Sequence, residues 1–201
     1  MDKNSIIKKY NLSRKQIDLI DTYIKKLKKS NQIHNLVGPS TINNAWDRHV
    51  NDSLQLSEFI LKKNASIIDL GTGAGLPGVI LHIFGYRDIL LIDSKMKKIN
   101  FIKEFADEQN FEIKTICTRV EKIKNQKFDI IVCRAFAPLI KLLDYSRFLT
   151  KKNTSLLFLK GRSVMKEIDD AKKSFSFKYH LYSSKSVGDG FVLKINKYKK
   201  L

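Results

Sequence analysis

Three glycines within five residues, Gly71, Gly73 and Gly75, follow an apolar run in the stretch SIIDLGTGAGLPG, residues 66 to 78. Two patterns overlap there. GAGLPG fits G-x-G-x-x-G, in which a dinucleotide pyrophosphate rests on the amides of a helix N-terminus. DLGTGAG fits acid-x-G-x-G-x-G, in which the backbone passes close beneath a ligand that needs no phosphate cradle. Glycine permits both the close approach and a positive φ. Pro77 separates the readings. It suits the first turn of a helix, but it has no N–H to offer a phosphate. S-adenosylmethionine is a ligand of the second kind, with an adenosine, a sulfonium and an amino-acid tail. Asp93 ends the next apolar run, as a carboxylate able to accept both ribose hydroxyls. A nicotinamide dinucleotide site places an acid there too, so Asp93 leaves both cofactors open. Asp69, Pro77 and a hairpin near the end of the chain favour S-adenosylmethionine. The main rival is a dinucleotide-dependent oxidoreductase.

Those residues need a scaffold. Apolar positions Ile17, Ile20, Ile24 and Leu27 recur at spacings of three and four, which predicts a helix over 13–29 with Ser13 as its N-cap. A second helix is read from about 47 to 61. The period then changes. ASIIDL, DILLID, EIKTIC, FDIIVC and TSLLFLK are short β-branched runs. Helical stretches at 77–84, 95–109, 138–147 and 162–175 lie between or after them. Strands alternating with helices predict a parallel sheet covered on both faces. KYHLYSS and GFVLKINKY, joined through Gly188, Asp189 and Gly190, predict an antiparallel hairpin that closes the sheet. The division expected is a helical extension over 1–61 and one compact α/β unit over 62–201.

Composition narrows the partner. The 201 residues carry 38 Lys and Arg against 20 Asp and Glu, a formal net charge of +18. Such a surplus favours a polyanion such as nucleic acid. No run is long and apolar enough to span a bilayer, and the first residues lack the apolar core of a signal peptide. A cytoplasmic location is the default expectation. Cys117 and Cys133 lie in apolar runs without metal-ligand spacing and read as buried thiols. No long apolar surface helix suggests an obligate dimer, so a monomer is expected.

The order of NLVG at 35–38, RHVNDS at 48–53, DLGTGAGLPG at 69–78, LIDS at 91–94, RVE at 119–121, CRAFA at 133–137 and LKG at 159–161 resembles one family in particular. It is that of the ribosomal small-subunit RNA methyltransferase G, also called glucose-inhibited division protein B. The chain departs from the usual pattern at Ser30, Val37, Asn51 and Cys133. The resemblance implies a Rossmann-like class I S-adenosylmethionine-dependent methyltransferase fold: a seven-stranded, mostly parallel sheet ending in an antiparallel hairpin. It implies the product S-adenosylhomocysteine, and 16S rRNA or the small ribosomal subunit as partner. The acceptor implied is N7 of a single guanine near the decoding site, position 527 in the usual target numbering. Carried over by motif, the cofactor contacts are Gly71, Leu76, Val120, Glu121 and Arg134, joined by Gly73 and Asp93 from the reading above. Arg134 is expected to hold the carboxylate tail through its guanidinium fork.

Guanine N7 has a free lone pair and no proton to lose. The chemistry implied needs orientation and exclusion of water, with no obligatory base. That argues against Cys133 as a nucleophile. His49, Asp52 and Ser53, spaced i, i+3, i+4, share a helix face. They read either as one wall of the guanine pocket or as a polar cluster that serves the helix itself. Lys160, at the end of the fifth strand, is a candidate for RNA phosphate. No catalytic residue is assigned beyond the pocket candidates His49, Asp52 and Lys160.

Overall fold

The computed structural model describes residues 1–201, apart from the side chains of Pro39 and Ser40. Two helices come first, α1 (Lys3–Tyr10) and α2 (Arg14–His34). Ser13 caps α2 as its sequence predicts, and Gln16 completes a reciprocal capping box with it. Asn35, in the left-handed conformation, ends the helix at its last turn, five residues beyond the predicted end. A short helix α3 (Pro39–Ile42) follows.

The helix predicted over 47–61 takes another form. It is a wide π turn at Trp46–Asn51, a single α turn α4 (Asp52–Leu54) and a tight 3-10 turn at Gln55–Phe59. Three hydrogen-bond spacings in one continuous segment change which residues share a face. Single π turns inside helices are common at functional sites.

The α/β portion runs β1 (Ile67–Leu70), α5 (Gly78–Phe84), β2 (Ile89–Asp93), α6 (Met96–Glu108), β3 (Lys114–Cys117), β4 (Phe128–Arg134), α7 (Leu139–Ser146), β5 (Thr150–Lys160), α8 (Val164–Lys172), β6 (Phe175–Ser183) and β7 (Phe191–Lys200). Between β3 and β4 lies one 3-10 turn, Val120–Lys122, the short turn of helix the sequence allows. The seven strands form one sheet in the order β3-β2-β1-β4-β5-β7-β6. β1 to β5 pair in parallel, and β7 runs antiparallel to both β5 and β6. The hairpin therefore closes the sheet, with the later strand inserted between β5 and the edge.

Each central strand feeds two cores by its period of two. Ile67, Ile89, Leu91, Ile130 and Val132 face the side covered by α1, α2, α5 and α6. Ile68, Leu70, Ile92, Ile131 and Cys133 face the side covered by α7 and α8. Burial on both faces explains why β1 and β2 read as unbroken apolar runs. The N-terminal helices share the first of these cores: Ile20, Tyr23 and Leu27 pack in it with Val79, Phe101 and Phe105.

Strand order reverses between β1 and β4. The crevice beyond the carboxyl ends of those two strands is where an open sheet of this kind takes a ligand. The glycine loop leaves β1 there, and Arg134 ends β4 there. Among the described residues no helix is long and apolar enough to cross a membrane.

Candidate active site

The glycine loop is shaped by Asp69, which points from β1 into the apolar side of the sheet and is fully buried. Its Oδ2 accepts from Thr72 Oγ1 at 2.6 Å and from the Gly78 amide at 2.9 Å. Burial raises this carboxyl to about 7. The loop also folds on itself. The amides of Gly75 and Leu76 both bond the Thr72 carbonyl at 2.9 Å, and the Val79 amide bonds the Gly75 carbonyl at 2.6 Å. Tyr23, fully buried on α2, donates its hydroxyl to the Ala74 carbonyl at 2.9 Å and braces the loop from behind. Pro77 stands just before the first residue of α5, one place earlier than its sequence suggests.

These bonds answer the question that the glycines raise. A pyrophosphate needs the first amides of α5. Gly78 has given its amide to Asp69, Val79 has given its own to Gly75, and Pro77 has none. The loop has no cradle for phosphate. Gly71, Gly73 and Gly75 instead adopt φ of 66°, 61° and 96°; Gly73 lines open space, and the Phe136 ring covers Gly71.

Three cavities lie in a row along the carboxyl ends of the strands. The smallest, about 170 Å³, is bounded by Asp93, Val120, Glu121, Phe136, Tyr145 and Gly71. The next, about 330 Å³, is bounded by Gly71, Gly73, Leu76, His49, Lys98 and Arg134. The third, about 370 Å³, is bounded by Arg134, Lys160, Asp52, Arg48 and the loop that joins β6 to β7. Gly71 belongs to the first and second, and Arg134 and Ala135 to the second and third. The Phe136 ring lies on Gly71. A β-carbon placed on that glycine would come within 2.2 Å of the ring. Ala135 holds φ of 48°, an uncommon conformation for a residue with a β-carbon that tends to persist at functional sites.

The second cavity has a distinct electrostatic character. Arg134 Nη2 bonds His49 Nδ1 at 2.9 Å. A guanidinium only donates, so Nδ1 accepts and the ring proton sits on Nε2. Burial, with Arg134 and Arg48 beside it, lowers His49 to about 3, and the ring stays neutral. His49 Nε2 and Arg134 Nη1 are both buried without a hydrogen-bond partner. Both residues line the second cavity, and two buried N–H donors left unpaired carry a desolvation penalty.

The remaining predicted residues fall into place around this. Asp93 Oδ2 accepts from the Gly73 amide at 3.1 Å and Lys98 Nζ at 3.3 Å, while Oδ1 accepts from the Lys95 amide at 2.9 Å. Leu76 is buried against the second cavity. Val120 and Glu121 form the 3-10 turn beside Asp93. His49 and Asp52 line different cavities, one on each side of Arg134, because the helical segment that carries them is not a uniform α-helix. Asp52 Oδ2 lies 3.4 Å from Arg134 Nε, and burial raises its carboxyl above the usual range even against that cation. Ser53 turns its hydroxyl back to the His49 carbonyl at 2.6 Å. Lys160 is engaged internally, bonding Glu167 at 2.5 Å and the Ala137 carbonyl at 3.0 Å. Burial pushes the Cys133 thiol up to about 12, which keeps it protonated and inert. Cys117 departs from expectation: it is half-exposed, since it ends β3 at the edge of the sheet.

Three residues to which the sequence reading gives no role, Asn51 among them as a departure from the family pattern, also shape the site. Asp47, Asn51 and Gln55 are almost wholly buried. Asp47 accepts from the Val187 amide at 2.6 Å, Asn51 donates to the Lys185 carbonyl at 2.8 Å, and Gln55 accepts from the Lys185 amide at 2.9 Å. Their spacing of four is legible in the sequence, but their burial is not, since polar residues at that interval usually mark a solvated face.

Comparison with known proteins agrees with this architecture. A family model described as rRNA small subunit methyltransferase G matches residues 16–190. Ribosomal RNA small subunit methyltransferase G of Rickettsia prowazekii is 37% identical over 92% of this chain and 96% of its own length. Its counterpart in Orientia tsutsugamushi is also 37% identical, over 92% and 93%. Among solved structures, a SAM-dependent methyltransferase from Aquifex aeolicus superposes with a TM-score of 0.61 at 18% identity, over 83% of this chain and 98% of that one. A ribosomal protein L11 methylase from Lactobacillus delbrueckii subsp. bulgaricus gives 0.60 at 21% identity, over 72% and 76%. The fold is that of the S-adenosylmethionine-dependent methyltransferases, and the chain belongs to the rRNA small subunit methyltransferase G family.

Proposed function

We propose that this chain transfers a methyl group from S-adenosylmethionine to N7 of one guanine in 16S rRNA. One observation carries the cofactor reading. His49 Nε2 and Arg134 Nη1 are two buried, unpaired donors on residues that line the cavity beside the glycine loop. A carboxylate at the end of the cofactor's amino-acid tail would satisfy both once the two side chains turn toward the cavity. The smaller cavity beyond Gly71 then takes the adenosine, with Asp93 on the ribose and Val120 and Glu121 beside the adenine. Lys98, the longest of the three bonds to Asp93, is the partner a ribose hydroxyl displaces. Gly71 and Leu76 floor the passage between the two cavities, which the Phe136 ring must leave for one ligand to span both.

When bound, S-adenosylmethionine supplies a sulfonium methyl; the N7–carbon bond forms as the sulfur–carbon bond breaks, and the bonding pair stays on sulfur. The protein has no proton to move. Its residues fix the direction of approach and exclude water. The described site agrees with that demand. His49 is held neutral, Cys133 is held as a thiol, and Asp69 is buried with its Oδ2 bonded inside the loop. The net charge of +18 suits an RNA or ribosomal substrate, whose phosphates make association salt-dependent.

The test is transfer from labelled S-adenosylmethionine to small ribosomal subunits that lack the modification, with the position mapped by strand scission specific for 7-methylguanine. One cleavage in the decoding-region hairpin is the expected result. Cofactor binding without transfer would retain the cofactor and discard the acceptor.

A further inference from the structure

The third cavity raises a separate question, because the fold commits unusual resources to one of its walls. The loop between β6 and β7 is exposed at its tip, where Val187 is 57% accessible. Yet it is tied along its length to the helical segment before β1. Asp47, Asn51 and Gln55 hold its backbone at Val187 and Lys185. Arg48 donates to the Val187 carbonyl. Asp52 Oδ1 accepts from Ser186 Oγ at 3.1 Å and Ser184 Oγ at 3.3 Å. Burying polar side chains is unfavourable unless each finds its partners, and a surface loop has no need of such anchoring. A loop that must present a fixed wall to a ligand does.

Charge decides what kind of ligand. Four cations line the cavity: Arg48, Arg134, Lys160 and Arg162. Three already face carboxylates, Arg134 with Asp52 at 3.4 Å, Lys160 with Glu167 at 2.5 Å and Arg162 with Asp189 at 2.5 Å. A phosphate would have to compete with each of these acids. A neutral, polar, flat group fits the balance of charge better. The cavity also adjoins the tail cavity through Arg134 and Ala135, within reach of a transferred methyl.

We propose that this cavity, between the carboxyl end of β5 and the Ser184–Gly190 loop, receives the acceptor nucleobase turned out of its RNA stack, the usual way for an enzyme to reach a base. The inference rests on the rRNA methyltransferase reading above. It adds a location for the base and assigns the β6–β7 loop as its outer wall, formed by Ser186 to Gly190. Arg48 and the buried trio Asp47, Asn51 and Gln55 act as positioning residues through that loop.

The experiment fills the cavity from its exposed rim with Val187→Trp and uses Leu61→Trp, at an exposed position that lines none of the three cavities, as the control. S-adenosylhomocysteine affinity is measured for each, alongside transfer to unmodified small subunits. The expected result is cofactor affinity within about twofold of the parent for both variants. Transfer at saturating subunit falls at least a hundredfold for Val187→Trp and stays within threefold for Leu61→Trp. Wild-type turnover by Val187→Trp would overturn the proposal. A loss confined to subunit affinity, with unchanged turnover at saturation, would make the loop an RNA-docking surface and also overturn it. Failure of the parent protein to transfer at all, with cofactor bound, would instead remove the rRNA reading, and the cavity would lose its occupant with it.

Discussion

Replacing His49 by Phe keeps a ring of similar size in the second cavity and removes both nitrogens. The side chain is buried, so the change acts on the cavity and on Arg134, which loses its partner at 2.9 Å. If His49 Nε2 donates to the cofactor's carboxylate, the variant forfeits one hydrogen bond to a charged group. Such a bond contributes about 1.5–3 kcal/mol, or roughly ten- to 150-fold in affinity. The assay is calorimetric titration with two ligands. S-adenosylhomocysteine carries the tail, and 5′-methylthioadenosine keeps the adenosine and sulfur but lacks the carboxylate. The first should weaken by that factor and the second by less than about threefold. The contrast should hold from pH 6 to pH 8, because a ring lowered to about 3 stays neutral throughout. Equal weakening of both ligands would mean that the substitution distorts the whole site. No weakening of either would mean that Nε2 meets no carboxylate. Either result refutes the assignment of the tail to this cavity.

Three other outcomes follow from the same geometry. Asp93→Ala should weaken S-adenosylhomocysteine and methylthioadenosine alike, by at least tenfold by titration, since both carry the ribose. Gly71→Ala should lose about 1–2 kcal/mol of stability from its φ of 66° alone; chemical denaturation should show part of any further loss recovered when Phe136→Ala relieves the contact at 2.2 Å. Asp69 titrates at about 7 when folded against about 3.9 unfolded, so the folded state binds the extra proton between those values and its stability falls as pH rises through them. Asp69→Asn should remove that fall, about 2.5 kcal/mol between pH 5 and pH 8, read from chemical denaturation of parent and variant at those two pH values.

Much of the scaffold was legible because burial on two faces leaves a strong mark. Ile67–Leu70 and Ile89–Asp93 are apolar without interruption, and only a covered parallel sheet asks for that. The glycine loop was legible for a related reason: Gly71, Gly73 and Gly75 sit where side chains would strain the backbone. Order within the sheet was less accessible. The runs at Phe175 and Phe191 announce a hairpin, but nothing in their period says that β7, and not β6, meets β5. The π turn at Trp46–Asn51 was hidden too, since its composition is that of an ordinary helix. The same holds for Asp47, Asn51 and Gln55. Their role depends on a loop more than 120 residues away, and no local pattern encodes such a partner. Helix α1 passed unread because its apolar content is low, with only Ile6 and Tyr10 buried along its length.

Arg134 borders two cavities at once and divides its guanidinium between His49 on one side and Asp52 on the other. A single rigid cation shared in this way makes the two compartments thermodynamically dependent. An anion drawn to Nη1 on the tail side withdraws positive potential from the side where Asp52 lies, and the acceptor compartment then presents a more acidic wall. Linkage makes such an influence mutual: whatever factor the cofactor imposes on acceptor affinity, the acceptor imposes on cofactor affinity. S-adenosylmethionine and S-adenosylhomocysteine share the carboxylate and differ by one charge at sulfur. On the proposed reading, the donor holds that charge beside the acceptor and transfer carries it onto N7, so turnover itself would reset the field in which the modified base is held.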